Sequence, residues 1–171
     1  ELCLSKKFDA LITLPIHKKI LSTKKIKFSG HTEYIADICN HKGKEVMLLS
    51  SKKLNVALAT THIALKDVSR KITQKSLCTT ISTLHHDLRK KFKISCPKIT
   101  VTGLNPHSGE DGEFGNEEIE LIKPAISKMQ RLGISINGPI PADTAFTPKI
   151  MSKTDCYLAM YHDQGLAPFK A

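Results

Sequence analysis

Tryptophan is absent from this 171-residue sequence, and the other aromatics are few, with 3 Tyr and 6 Phe. None alternates with lysines as a stacking platform for single-stranded nucleic acid would require. Cysteine is sparse and irregular. Cys3, Cys39, Cys78, Cys96 and Cys156 form an odd set with no CxxC pair. That argues against a disulfide framework and a cysteine-only zinc module, and points to a reducing, cytoplasmic compartment. No run approaches the ~18 consecutive apolar residues of a membrane helix. The first residues, Glu1-Leu2-Cys3-Leu4-Ser5-Lys6-Lys7, have neither the apolar stretch nor the small-residue cleavage site of a secretory signal. There is no GxGxxG or GxxxxGK[ST] phosphate cradle and no GxSxG elbow, and no cysteine has an activating neighbour. A hydrolase with a covalent nucleophile is therefore disfavoured. Residues 109–115 are glycine-rich, but their acids would repel phosphate, and they lack the calcium-loop spacing.

Acidic residues are scarce in the first hundred positions, where 20 Lys and Arg face 7 Asp and Glu. Over residues 101–171 the balance reverses to 6 against 9, and the whole chain carries +10. The lysines come in doublets (Lys6-Lys7, Lys18-Lys19, Lys24-Lys25, Lys52-Lys53) and not in one block. A solvated basic surface that favours small anionic substrates explains this better than nucleic-acid binding. A basic nucleic-acid-binding module is the alternative from a different class; it predicts binding that weakens steeply with salt. Hydrophobic residues at 40% and charged residues at 25% are globular values.

Short apolar runs alternate with longer amphipathic ones. Strands are predicted at 10–14, 45–49, 55–60, 98–102, 134–136 and 156–160. Leu77, Ile81, Leu84, Leu88 and Phe92 repeat at helical spacing and predict one buried helix face. A second helix is predicted from Asn116, with Glu117 and Glu118 opposing its dipole, Pro124 kinking or splitting it, and Gly133 as C-cap. A short helix is predicted over 31–40. Strands separated by helices of this length predict an α/β fold with parallel crossovers, with 45–60 as a possible antiparallel pair.

Three histidines each follow a predicted strand: His62 after Thr60, His107 after Thr102, and His162 after Tyr161. Ligands of open parallel sheets bind outside the carboxyl ends of the strands. Imidazoles gathered there suit a divalent cation with an open coordination position. Three unrelated loop histidines is the other reading that spacing alone allows. The loop Gly138-Pro139-Ile140-Pro141-Ala142-Asp143-Thr144-Ala145 offers one carboxylate on a stiff mount, or else Asp143 caps the next helix. His85 and His86 are adjacent within the 77–92 helix, which favours a solvated or interface pair over a ligand pair.

Several longer motifs together resemble the 4-hydroxythreonine-4-phosphate dehydrogenase family of vitamin B6 biosynthesis. They are Gly103-Leu104-Asn105-Pro106-His107-Ser108-Gly109-Glu110, Gly138-Pro139-Ile140-Pro141-Ala142-Asp143-Thr144 and Tyr161-His162-Asp163-Gln164-Gly165, supported by Ser29-Gly30-His31-Thr32-Glu33, Ala59-Thr60-Thr61-His62 and Leu84-His85-His86-Asp87-Leu88. The resemblance implies an isocitrate/isopropylmalate dehydrogenase-like α/β fold. Residues 1–171 would be the central metal- and substrate-binding segment of a two-domain enzyme, with flanking N- and C-terminal parts outside it. It implies NAD- or NADP-dependent oxidation of 4-phosphohydroxy-L-threonine to a 3-keto acid, which decarboxylates to 3-amino-2-oxopropyl phosphate. It also implies a homodimer that shares its sites, and a divalent metal (Zn, Mg or Co) on His62, His107 and His162. His31, Thr32 and Lys170 would bind substrate. Asp143 and Asp163 are candidates to take the hydroxyl proton or hold the substrate ammonium. Thr13-Leu14-Pro15 departs from the family's Thr-Gly-Pro and leaves the contact of that turn open. A relative acting on another phosphorylated hydroxy acid is the nearest alternative.

Overall fold

The computed structural model describes residues 2–16 and 30–171. The lysine doublets at 18–19 and 24–25, and Ser29, lie outside the described residues. Contacts divide the chain into Glu1–Glu45 and Val46–Ala171.

In the first unit, the expected strand at 10–14 does not form, and residues 10–16 have no regular structure. Leu11, Ile12 and Leu14 are largely exposed. An apolar run becomes a strand only when a neighbour takes its backbone N–H and C=O groups, and no strand of this unit is among the described residues. Helix α1, His31–Ile38, forms as predicted but ends earlier.

The second unit is an α/β layer structure. Its strands are β1 Met47–Ser50, β2 Asn55–Leu58, β3 Ile99–Thr102, β4 Ile136–Ile140 and β5 Cys156–Ala159. They lie in the order β1-β2-β5-β3-β4. Strands β1 and β2 pair antiparallel, as the short turn between them predicts, and the β2-β5, β5-β3 and β3-β4 pairs are parallel. The interior strands β3 and β5 are buried at every position, the mark of a strand covered on both faces. Alternate residues serve opposite layers. Ala57, Val101, Cys156 and Leu158 join the core beneath the long helices, while Val56, Leu58, Tyr157 and Ala159 face the other layer.

A 3-10 turn (Leu65–Asp67) leads into α2, Val68–Lys71, and then α3, Gln74–Lys90. Thr73 and Ser76 close a capping box on α3, each side chain accepting the other's backbone N–H at 3.0 Å. Leu77, Ile81, Leu84 and Leu88 are buried as their spacing predicts. Phe92 lies beyond the helix end and is 40% exposed. The second long helix is split, as Pro124 predicts, into a π-turn (Glu118–Ile122) and α4, Lys123–Arg131. Gly133 follows with φ 82 and donates its N–H to the Gln130 carbonyl at 2.9 Å.

Two boundaries are corrected. The fourth strand runs from Ile136 through Ile140 and not over 134–136, so Gly138-Pro139-Ile140 is strand and not loop. Strand β4 is an edge, where a proline that cannot donate to the ladder is tolerated, and its register against β3 shifts between Thr100 and Thr102. Asp143 does not cap. It lies within α5, Ala142–Ala145, which begins after Pro141 and makes no side-chain cap bond. Short α6, Pro148–Met151, leads to β5, and α7, His162–Lys170, follows it.

Candidate active site at the carboxyl edge

Four parallel strands end on one edge, and each is followed by a predicted site residue. His62 comes after β2, His107 after β3, Asp143 after β4, and His162 after β5. His62 and His107 follow irregular segments, Asp143 lies in short α5, and His162 is not on a loop: it is the first residue of α7. The edge is held by Gln164, two residues further along that helix. Its Oε1 accepts the Thr102 hydroxyl and the Met160 N–H, both at 2.7 Å, and its Nε2 donates to the Gly103 carbonyl at 2.7 Å. The ends of β3 and β5 are thereby tied to the start of α7. The Thr60 hydroxyl adds a link from β2 to the Met160 carbonyl at 2.7 Å. Gln164 belongs to a motif visible in the sequence, but its bracing role depends on which strands are neighbours.

The rings of His62 and His162 approach with centroids 5.4 Å apart and planes at 46°. Two imidazoles sharing one tetrahedral cation at about 2.1 Å have ring centres a little over ~5 Å apart, a spacing that this pair matches. Asp163 Oδ1 lies 2.7 Å from His162 Nδ1. With Nδ1–H donating to that carboxylate, the neutral ring presents the Nε2 lone pair, the arrangement that orients metal-ligating histidines.

His107 stands apart from that pair. Among the described residues, no group of three or more His, Cys, Asp or Glu is gathered closely enough to hold a metal ion. His107 lines a cavity of about 320 Å³ with Asn105, Asp143, Tyr161 and Gln164, within the ~300–1,000 Å³ range of small-molecule sites. The Phe114 ring lies 6.1 Å from the His107 ring.

The turn that carries His107 is unusual. His107, Ser108, Gly109, Glu110 and Asp111 have φ of 52, 54, 85, 41 and 54°, five consecutive left-handed residues. Each non-glycine among them costs about 1–2 kcal/mol, and such strain persists only where surroundings over-determine it. Gly103 permits the close approach, since a Cβ there would meet Ser108 Oγ at 2.5 Å. Glu118 lies beneath. It stands in the first turn, as the charge pattern predicts, and there it is fully buried and accepts the Leu104 and Asn105 N–H groups at 2.7 and 2.8 Å. The signal that identifies it is periodicity: Glu118 lies four residues before Ile122 and in line with Ile126 and Met129, the buried face of that helix.

His31 and Thr32 open α1 in the first unit, and Lys170 closes α7 in the second. His85 and His86, expected to face apart, both line an open cavity of about 500 Å³ with Ser82, Arg89, Lys90 and Ser95. Partial burial, then Arg89 and His86, hold the His85 pKa below its ordinary 6.5. Burial pushes the Cys156 thiol up to about 12 and raises the Tyr157 phenol, whose hydroxyl donates to the Ala145 carbonyl at 2.9 Å.

The chain as a whole is similar to known proteins. The family model described as pyridoxal phosphate biosynthetic protein PdxA matches residues 1–171. A crystal structure of 4-hydroxythreonine-4-phosphate dehydrogenase from Klebsiella pneumoniae is similar with a TM-score of 0.89 at 37% identity, over 99% of this chain and 50% of that one. One from Burkholderia phymatum is similar with a TM-score of 0.83 at 41% identity, over 99% and 51%. A terephthalate 1,2-cis-dihydrodioldehydrogenase from Burkholderia xenovorans LB400 is similar with a TM-score of 0.73 at 28% identity, over 83% and 45%. The chain spans about half the length of these relatives.

Proposed function

This chain belongs to the family of the pyridoxal phosphate biosynthetic protein PdxA, and from that premise we propose that the protein it comes from is an NAD- or NADP-dependent 4-hydroxythreonine-4-phosphate dehydrogenase. The observation that carries the reading is the carboxyl edge itself, where the His62–His162 pair, 5.4 Å between ring centres, shares the ends of four parallel strands with the cavity of His107 and Asp143. His62, His162 and His107 would hold a divalent cation, Zn, Mg or Co, which when bound stabilises negative charge on a substrate oxygen.

The chain's own residues then have distinct tasks. Asp163 fixes the tautomer of His162. Asp143, on the wall of the His107 cavity, takes the substrate hydroxyl proton on its carboxylate as hydride leaves the same carbon for the nicotinamide. The resulting 3-keto acid loses CO2. His31 and Thr32 are substrate-binding residues, and Lys170 suits a phosphate as a point charge. The protein acts as a cytoplasmic homodimer whose partner completes each set of three histidines. The 71% exposure of Leu65 in the segment after His62 supports a partner surface beside that histidine.

A second reading has its own support. Likeness to a dihydrodiol dehydrogenase at 28% identity favours a relative that oxidises a different hydroxylated substrate. The deciding experiment follows reduced nicotinamide with the full-length protein on 4-phosphohydroxy-L-threonine, on other phosphorylated hydroxy acids and on a cis-dihydrodiol, with metal content measured alongside. Preference for the first compound supports the proposal. Turnover confined to the others selects the second reading, and no turnover of any of them refutes both.

A further inference from the structure

Resting on the reading of His107 as a site residue, we propose that Glu118 is the positioning residue of the His107 turn: its buried carboxylate anchors the left-handed run 107–111 and so decides where the His107 imidazole stands. Glu118 is 0% exposed, and none of the ion pairs among the described residues includes it. An ionised carboxylate without a cation is costly to bury unless N–H groups converge on it, and here three do. The N–H groups of Leu104 and Asn105 donate to Oε1 at 2.7 and 2.8 Å, and the Asn105 side-chain amide donates to Oε2 at 2.9 Å. Charge-assisted bonds of this kind are stronger than neutral ones, so the two residues that enter the turn are pinned.

The centre of the turn rests on the same group. A Cβ at Gly109 would lie 2.8 Å from Glu118 Oε2, so the backbone there is seated against the carboxylate. Asn105 also donates to Glu117 Oε2 at 2.8 Å, which orients its amide. Asn105 and His107 line one cavity. The contacts therefore run from the buried carboxylate through Asn105 to the wall that carries the imidazole. Glu118 does not line that cavity; it acts through the turn.

The test uses the full-length protein. Glu118→Gln keeps the volume but sets an amide donor against the Asn105 donors. In metal-free protein the His107 imidazole resonances, assigned with His107→Gln, are expected to move while those of His62 and His162 stay. Affinity titrated with zinc alone should fall about tenfold or more, as for loss of a group that orients a ligand. A lowered unfolding midpoint with unchanged His107 resonances would mean a structural role only and would overturn the proposal. If Glu118→Gln does not fold, Gly109→Ala presses a Cβ on the same carboxylate, and a folded Gly109→Ala with unmoved His107 signals overturns it equally. The resonance readout needs no substrate. Shifted resonances in the variant with no dehydrogenase turnover by the native protein therefore sink the functional reading alone, and turnover by the native protein with unmoved resonances in the variant sinks this one alone.

Discussion

Gly165 lies on α7 three residues after His162, and it is where the helix meets the sheet. A Cβ added there would stand 2.7 Å from Leu58 Cδ2, 2.9 Å from Val56 Cγ1 and 3.2 Å from Ala159 Cβ. The first is about 0.7 Å short of ordinary van der Waals contact. Leu58, Val56 and Ala159 are all buried, so the wall cannot turn aside and the helix must lift. Overpacking of this kind costs about 1–3 kcal/mol, and Ala in place of Gly within a helix returns about 1 kcal/mol. Gly165→Ala should therefore lose up to about 2 kcal/mol in urea unfolding and weaken zinc binding, because His162 begins the displaced helix. Gly133→Ala is the control. Nothing lies within 4 Å of its Cβ position, yet its φ is +82, so it should lose about 1 kcal/mol through backbone conformation alone and leave metal binding unchanged. A Gly165→Ala protein more stable than the native one, with zinc binding unchanged, would refute the packing argument.

Alanine at His62, His107 or His162 should each remove most bound metal without unfolding the protein, and full metal content in the triple variant by elemental analysis would sink the ligand set. Cys156, with its thiol pushed up to about 12 by burial, should resist alkylation at neutral pH until denaturant is added, while exposed Cys96 reacts at once; mass spectrometry reads both. The folded-state pKa of His85 is depressed, so the unfolded chain binds more protons as pH falls through 6.5, and stability should decline over that window and level off once folded His85 also protonates. Arg89→Ala should raise the His85 pKa by proton NMR and flatten that decline. Thr73→Ala breaks the capping box of α3 and should cost about 1 kcal/mol in urea unfolding.

Much of the fold follows from local pattern. The spacing of Leu77, Ile81, Leu84 and Leu88 marks a buried helix face. Pro124 splits a helix and Gly133 ends one, because proline lacks an N–H and glycine accepts positive φ. The β-rich runs at 55–60, 98–102 and 156–160 become strands, and the residues after them carry the candidate chemistry. The motifs around His107, Asp143 and His162 identify the family because each is long and specific. These are properties of neighbours in the chain, which is what a sequence records.

Tertiary structure decided the rest. The run at 10–14 is as apolar as a strand but forms none, because pairing depends on a partner that local pattern does not supply. Pro139 sits inside a strand because β4 is an edge, and an edge is defined only by the order of the sheet. Which histidines meet was likewise not legible: His62 and His162 lie 100 positions apart in the chain, yet they face each other because β2 and β5 are adjacent. Glu118 shows the same limit for charge. Composition places a glutamate in water, and only the convergence of N–H groups from a distant turn makes its burial affordable.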